Sequence, residues 1–488
     1  MRARRLFGLI VMAVLFVSFG RHVDAQSCPE VPTASVSSAQ PPSDVCLPDD
    51  IGTKFPIDYF DDYSWRAFIA LVWPAADGQR GVADTTKTVN GPGPRVFETY
   101  KSLWEIFHID NTAPSSDRFN DYESAQFNAC QQKVNFGDLV LASFSKFSDI
   151  GQAGAGSLVG PLPAQNGLYA RYLTLYNQIE FDKIFQEQWF FRRNLPVVPN
   201  PAPPVPVVQF PAGSIDVKAA WVDLTGMSDA QRQRYYTRQA WVLNPNDGTC
   251  SEKKVGLVGL HVVQKTPSRP QWIWSTFEQV DNVPPAAPGS TGKFAFNDGT
   301  SIAIPKTNPL TLSPLAPQPI KPFNVTRSAS TPIHPKTTIT NSKYQKLLAG
   351  TVWANYQLVM TQWPIGQGKQ PVPVSQGGDV AHTFPGAGAN SAFANVTMET
   401  FDQNRAQNGC MSCHAQARNQ GDFVWSMVDH AFPPSAATPD LFFRDTSFKD
   451  FQKLMLQAAP PKQTAPPVSN HNNATSAKKK STSSSVPK

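Results

Sequence analysis

The chain has 488 residues, of which 41% are hydrophobic and 16% are charged, so it is long enough to bury a large core. Its formal net charge of +6 comes from the two ends, because residues 26–461 contain 34 basic and 36 acidic side chains. That segment has no cluster of Lys and Arg of the kind that nucleic-acid recognition requires, so we expect no nucleic-acid partner.

The N-terminus has the pattern of a signal peptide. Residues 1–5 are basic, residues 6–19 are mostly apolar, and small residues precede Gln26, which predicts a signal peptide over residues 1–25. The apolar run is shorter than the roughly 20 residues of a membrane span. An uncleaved anchor is the alternative. We expect a periplasmic or secreted protein with no transmembrane segment after cleavage.

The first third of the sequence predicts helices. Apolar residues recur at helical spacing over 59–73, and Pro74 ends that pattern. The same spacing predicts helices over 95–107 and 168–193. Their aromatic stripes indicate ordinary core packing.

In the middle of the sequence, the spacing of the apolar residues changes from a helical to a strand period. Short β-rich segments with frequent alternation follow a proline-rich stretch, and the links between them are too short for helical crossovers. An antiparallel sheet is therefore predicted, and helical spacing returns after it. The strands are predicted at 214–224, 238–243, 255–264 and 272–278, and the later helices at 343–363 and 390–405.

Residues 410–414 read Cys-Met-Ser-Cys-His, a C-x-x-C-H motif. Each thiol can bond one vinyl group of a haem, and the following histidine can ligate the iron. A zinc site would need two further ligands, and no second C-x-x-C or H-x3-5-H occurs. A disulfide or a coincidental cysteine pair is the other alternative. We predict one covalent haem c bound by Cys410 and Cys413, with His414 as the proximal iron ligand.

The other cysteines are candidates for disulfides, because an exported protein meets an oxidising compartment. A Cys28–Cys46 bond would close a local Pro/Ser-rich loop, and a Cys130–Cys250 bond would join two distant segments. Free buried thiols are the alternative.

Together these predictions give an α+β fold, with a helical N-terminal part, a central antiparallel β-sheet and a mostly helical haem-bearing C-terminal part. The predicted divisions are listed in chain order. They are a signal peptide (1–25), a Pro/Ser-rich leader segment (26–50), a helical and sheet body (51–335), a helical haem-bearing region (336–461) and a disordered Lys/Ser-rich tail (462–488).

Several segments of the sequence resemble those of a family of exported bacterial cytochrome c-like proteins. They are residues 65–74, 256–261, 272–278 and 356–364, and 397–400 ahead of the C-x-x-C-H motif. The resemblance spans most of the mature chain and implies a monohaem c-type protein with a large non-haem body. It implies no established reaction. Only haem attachment carries over residue by residue, to Cys410, Cys413 and His414.

The ligand on the distal side of the iron decides between the possible functions, because a saturated iron transfers electrons and an open one can react with peroxide or oxygen. Met427 and His430 are the main candidates, since residues 415–421 could carry the chain round the haem edge. Met455 and His261 are alternatives. Met398 is expected to pack as core.

We predict an electron-transfer protein that exchanges electrons with a redox partner protein or a small-molecule donor or acceptor. The alternative is a haem-dependent oxidoreductase, peroxidase-like, oxygenase-like or coupled to a dehydrogenase, since a simple shuttle needs far less chain. A haem-based sensor is the third possibility. No nucleotide-binding or hydrolase motif is present. Glu278 and Asp281, with His261, are expected to be ordinary sheet-surface residues.

Overall fold

A computed structural model describes most of the chain between Val45 and Ala431. The predicted signal peptide, the predicted tail and Met455 lie outside the described residues. The described residues are 45–52, 57–108, 111–128, 130–141, 161–200, 206–244, 249–285, 292–300, 318–322, 324–329, 331–363, 394–401, 403, 410, 414 and 417–431, with the backbone at 27–28 and only the backbone of Asp429.

The described secondary structure consists of ten strands and seven α-helices. The strands are β1 (Ser27–Cys28), β2 (Leu47–Pro48), β3 (Lys101–Ser102), β4 (Val140–Leu141), β5 (Arg171–Tyr176), β6 (Ile215–Asp223), β7 (Thr237–Leu243), β8 (Cys250–Thr266), β9 (Arg269–Gln279) and β10 (Tyr356–Gln362). The helices are α1 (Ile57–Leu71), α2 (Leu103–Ile106), α3 (Gln178–Gln186), α4 (Asp229–Arg232), α5 (Pro335–Leu347), α6 (Arg418–Gly421) and α7 (Ser426–His430).

An eight-stranded sheet is the centre of the fold. Its main path runs β10-β9-β8-β6-β5-β3, while β7 pairs with the first part of the 17-residue strand β8. Every pair in it is antiparallel except β4–β7, which is parallel. The four strands predicted in the middle of the sequence are confirmed as β6 to β9, and the antiparallel sheet is confirmed apart from that one pair.

Helices α1 and α5 cover one face of the sheet, which we call the helix face. The indole of Trp65 stacks on Tyr344 at 5.2 Å between centroids and meets Phe277 of β9 edge-on at 5.1 Å. Leu260 pairs in register with Phe277 on one side and with Ala219 on the other, so the three residues share this apolar face. Burial of these side chains supplies much of the driving force for folding.

The other face, which we call the polar face, is covered by the described residues between 394 and 431. The hydroxyl of Tyr172 donates to the carbonyl of Thr397 at 2.6 Å, and that of Tyr176 donates to the hydroxyl of Ser426 at 2.9 Å. The backbone N–H of Val396 donates to Glu278 at 2.5 Å. The region that carries the C-x-x-C-H motif is thus fastened to the sheet by hydrogen bonds as well as by apolar packing, because Val396 and Met398 share an apolar cluster with Ala220 and Val258.

The α+β class is confirmed, but a mostly helical C-terminal part is not supported. In the described portion of residues 394–431, helices α6 and α7 have four and five residues, and the backbone at Cys410 and His414 is helical. Residues 394–401 form turns instead of the predicted helix. The side-chain oxygen of Asn395 accepts from the N–H of Thr397 at 2.9 Å, and its amide donates to the carbonyl of Phe277 at 3.0 Å. Such local bonds compete with helix formation.

The single helix predicted over 168–193 is wrong, because the chain forms β5 and then α3. Arg171–Tyr176 is rich in residues that favour strands, and its aromatic spacing also fits a strand with both faces covered. Asn177 separates the two elements. Its side-chain oxygen accepts from the N–H of Glu180 at 3.1 Å and caps α3.

The helix predicted over 343–363 is also only partly correct. Helix α5 ends at Leu347, Gly350 adopts a φ of 82°, and the chain returns as strand β10. The predicted helix over 95–107 is reduced to a 3-10 turn (Phe97–Thr99), strand β3 and the single turn of α2. The helix predicted over 59–73 is confirmed as α1.

The predicted disulfide between Cys130 and Cys250 is present and links positions 120 residues apart. Cys46 is also disulfide-bonded, while the side chain of Cys28, its predicted partner, lies outside the described residues. In the described part of the chain, none of the helices has the length and apolar character that a bilayer span demands.

Candidate functional site

His414 is held by one short hydrogen bond to the main chain. Its Nδ1 lies 2.7 Å from the carbonyl oxygen of Phe423. A carbonyl oxygen can only accept, so Nδ1 carries the proton of the neutral ring and Nε2 retains its lone pair. Metal-ligating histidines are commonly oriented by such a bond from the other ring nitrogen.

The surroundings of His414 keep its ring neutral. Desolvation lowers the pKa of His414 to about 3, and the positive charge of Lys218 adds to that effect. The ring of Trp274, on strand β9, lies 4.3 Å from the imidazole between centroids and restricts its rotation. A neutral imidazole with a fixed tautomer is the form that can bind iron at physiological pH.

The two cysteines of the motif are described to different extents. Cys410 is half-buried and packs against the main apolar core. Cys413 lies outside the described residues. The two described members of the motif fit a haem c. His414 can present Nε2 to the iron, and Cys410 lies four residues before His414 in the chain.

The polar face beneath His414 carries charged and hydrogen-bonding groups at paired positions. Lys218 of β6, His261 of β8 and Thr276 of β9 are directly paired across three strands, so their side chains share one face. Lys218 is buried, with 6% exposure. Both Lys218 and His261 act electrostatically on His414, which places them in its neighbourhood.

His261 forms a dyad with Glu399. Its Nε2 lies 3.0 Å from a carboxylate oxygen of Glu399, and its Nδ1 lies 2.8 Å from the hydroxyl of Thr276. The two side chains of the dyad are 18% and 21% exposed. Because both ring nitrogens already have neighbours, His261 would have to lose a hydrogen bond to ligate iron. The dyad has the chemistry of a proton donor and acceptor.

Both main candidates for the distal ligand lie on α7. Met427 is fully buried in the main apolar core. Desolvation lowers the pKa of His430 to about 3, and Lys218 contributes to that shift as it does for His414. Lys218 is therefore an electrostatic neighbour of both histidines. The assignment of either residue as the distal ligand stays a prediction.

The remaining polar candidates have structural partners. Glu278 is buried with 1% exposure and forms an ion pair with Arg327, so it anchors the segment at Val396 and is not an ordinary surface residue. Asp281 forms an ion pair with Arg234 near the surface. Met398 is buried in a second apolar cluster, as expected for core.

Sequence reasoning missed Lys218, Glu399 and Asp422 as neighbours or supports of His414. A signal for Lys218 was present, because Asp216 and Lys218 alternate with apolar residues in β6 and mark one face as polar. That pattern is usually assigned to a solvated face. No comparable signal exists for Asp422, whose role depends on its backbone conformation.

Comparisons with protein-family models, curated proteins and solved structures found no match to this chain.

Proposed function

We propose that this protein is an exported c-type cytochrome that carries one covalent haem and transfers single electrons. The proposal rests chiefly on one observation. Directly after two cysteines at haem-attachment spacing, His414 donates from Nδ1 to the carbonyl of Phe423 at 2.7 Å, which leaves Nε2 with a lone pair. That combination of motif and fixed tautomer is what haem ligation needs.

The chain's own residues have distinct roles in this proposal. Cys410 and Cys413 would hold the haem, whose iron supplies one-electron redox chemistry when bound. His414 would bind on the proximal side, with its ring plane limited by Trp274. Met427 or His430 would close the distal side from α7. The buried cation of Lys218 would favour the reduced state, which carries one positive charge less.

Export is the second part of the proposal. The basic and apolar pattern of residues 1–25 supports a signal peptide, and the Cys130–Cys250 disulfide supports an oxidising compartment. Covalent haem attachment to a C-x-x-C-H motif requires the same side of the membrane in bacteria. We therefore propose that the protein acts in the periplasm or outside the cell.

A second function, a haem-dependent oxidoreductase, is favoured by the His261–Glu399 dyad. The dyad is partly exposed and lies near His414, where a proton donor and acceptor could serve peroxide or oxygen chemistry. An open distal side would be needed for that reaction.

A spectroscopic redox titration of the haem-loaded protein distinguishes the two functions. Electron transfer predicts a low-spin ferric spectrum, a one-electron Nernst curve, and no binding of cyanide at low concentration. Met427→Leu and His430→Gln are paired variants, and the one that removes the distal ligand should convert the spectrum to high spin. A wild-type ferric haem that is high-spin and binds cyanide readily would reject electron transfer in favour of the oxidoreductase.

A further inference from the structure

We propose that Asp422, Lys265 and Trp272 are positioning residues, which hold the carbonyl of Phe423 against Nδ1 of His414 and thereby set the redox potential of the site. This inference rests on the proposed function and deepens it. It concerns the support of the proximal ligand, whereas the motif concerns only the ligand itself.

The first observation is the backbone of the residues that support His414. Asp422 and Phe423 are consecutive and have φ values of 50° and 76°, in the left-handed region. Trp272 has a φ of 71°. The other non-glycine residues with positive φ in the described part of the chain are Asn111, Gln131 and Gln188. A bulky aromatic residue rarely adopts this conformation. Of the two that do, Phe423 accepts the hydrogen bond from His414, and Trp272 donates to the carbonyl of the residue before Phe423.

The second observation is the set of contacts that holds this conformation. The carboxylate of Asp422 forms an ion pair with Nζ of Lys265 and accepts from the N–H of Phe210 at 2.8 Å. The indole N–H of Trp272 donates to the main-chain carbonyl of Asp422 at 2.8 Å. Both the side chain and the backbone of Asp422 are therefore fixed from outside their own turn.

The third observation is a break in the sheet that supplies these partners. In the β8–β9 pair, Gln264 faces Ile273 while Thr266 faces Arg269, so the strands lose register between these points. Lys265 and Trp272 lie in that irregular region. Its effect is to place the ammonium group 5.8 Å from the indole centroid, with both groups directed at Asp422. Bulges are common where a strand must redirect a side chain toward a site.

The physical consequence follows from the orientation of the carbonyl. The Asp422 carbonyl and the Phe423 carbonyl belong to adjacent planar peptide units. The indole of Trp272 holds the first unit, and the N–H of Val424, which donates to the carbonyl of Gly421 at 3.0 Å, holds the second. A well-aligned bond to the Phe423 oxygen makes the His414 imidazole a stronger electron donor. Stronger donation stabilises the oxidised iron and lowers the midpoint potential. Loosening the support should therefore raise the potential.

The test uses the full chain matured in a host that attaches c-type haem. Trp272→Phe removes the indole N–H and keeps the ring, and Asp422→Ala removes the carboxylate. We expect each to raise the midpoint potential, with Asp422→Ala changing the oxidation equilibrium about tenfold, which is 59 mV for one electron. Asp422→Asn keeps an acceptor for the N–H of Phe210 and should restore part of the change.

Trp353→Phe is the matched control, because Trp353 is also fully buried and donates its indole N–H to a main-chain carbonyl, that of Val89, at 3.1 Å. It should lower thermal stability without moving the potential. Potentials equal to wild type in Trp272→Phe and Asp422→Ala, with full covalent haem by mass, would overturn the positioning role alone. A wild-type mass without haem would overturn the proposed function as well.

Discussion

The two faces of the central sheet are built from different chemistry. On the helix face, aromatic side chains such as Trp65, Phe68 and Phe277 pack against one another, with ring centroids 4.4 to 5.5 Å apart. On the polar face, paired positions carry Lys218, His261 and Thr276, and buried tyrosine hydroxyls of the sheet donate hydrogen bonds to the covering segment. The covering segment on the polar face carries the C-x-x-C-H motif.

This difference separates stability from function. Apolar burial is non-directional and contributes to the free energy of folding wherever shapes fit. Burying lysine, histidine and carboxylate groups is unfavourable unless each is paired, so a face built this way is poorly suited to stabilising a fold. The polar face instead fixes the position of His414. Changes on the helix face should therefore alter only stability, whereas changes beside His414 on the polar face should also alter the properties of the proposed haem.

The largest effect is expected from Phe277→Ala on the helix face. This side chain is fully buried and stacks on Phe68 at 4.4 Å, so its loss leaves a cavity and should cost about 3–5 kcal/mol of unfolding free energy. Urea unfolding measures the change. The spectrum of the folded haem protein should stay as in wild type, and a clear spectral shift would show that the faces are not separable.

A pH dependence is expected from Asp61, a buried polar group on the helix face. Burial raises the pKa of its carboxyl to about 7, although Thr337 and Thr361 donate hydrogen bonds to it. Because the pKa of Asp61 in the folded protein lies above its ordinary value of 3.8, the neutral acid stabilises the fold at low pH. That contribution is lost as pH rises from about 4 to 7, by at most about 1.4 kcal/mol per pH unit.

Asp61→Asn should flatten this part of the stability–pH curve, as followed by urea unfolding between pH 4 and 8. Asp58→Asn on the same helix is the control, because Asp58 is 57% exposed. Identical slopes in wild type and Asp61→Asn would show that Asp61 does not titrate in this range.

Gly259→Ala should disturb the polar face. A methyl group at Gly259 would collide with the hydroxyl of Thr397 and lie 3.2 Å from the terminal methyl of Met398. We expect a loss of about 1–3 kcal/mol in urea unfolding. Adding Thr397→Ala should recover part of that loss, and strict additivity of the two changes would argue against close packing here.

The smallest stability effect is expected from Glu399→Gln. Its pair with His261 is partly exposed, so the loss in unfolding free energy should be below about 1 kcal/mol. An electron-transfer protein should keep its low-spin spectrum in this variant. If the wild-type protein turns over peroxide and Glu399→Gln slows that turnover at least tenfold, the oxidoreductase function gains support over electron transfer.

The sequence predicted the parts of the fold that depend on local pattern. Strands β6 to β9 and helix α1 have clear periodicity, and all were found near the predicted bounds. The prediction of a single helix over 168–193 is wrong, because a short strand and a short helix meet at Asn177. Aromatic spacing alone does not distinguish the two elements. The helix predicted over 390–405 is wrong at residues 394–401, because the backbone there forms hydrogen bonds to side chains of the sheet. This is a tertiary effect.

Of the candidate site, only the C-x-x-C-H motif was predictable. Cys410, Cys413 and His414 follow from a local motif. The carbonyl of Phe423, the left-handed turn at Asp422 and the break in register beside Lys265 depend on backbone geometry that has no signature in side-chain type. Glycine would mark such a turn, and neither Asp422 nor Phe423 is glycine.

The intact mass of the denatured mature protein tests the central claim most directly. Wild type from a host that attaches c-type haem should weigh one haem more than its polypeptide, and the Cys410→Ser/Cys413→Ser double variant should weigh the polypeptide alone. A wild-type mass equal to that of the bare polypeptide, in a preparation where a known c-type cytochrome is fully loaded, would contradict the account.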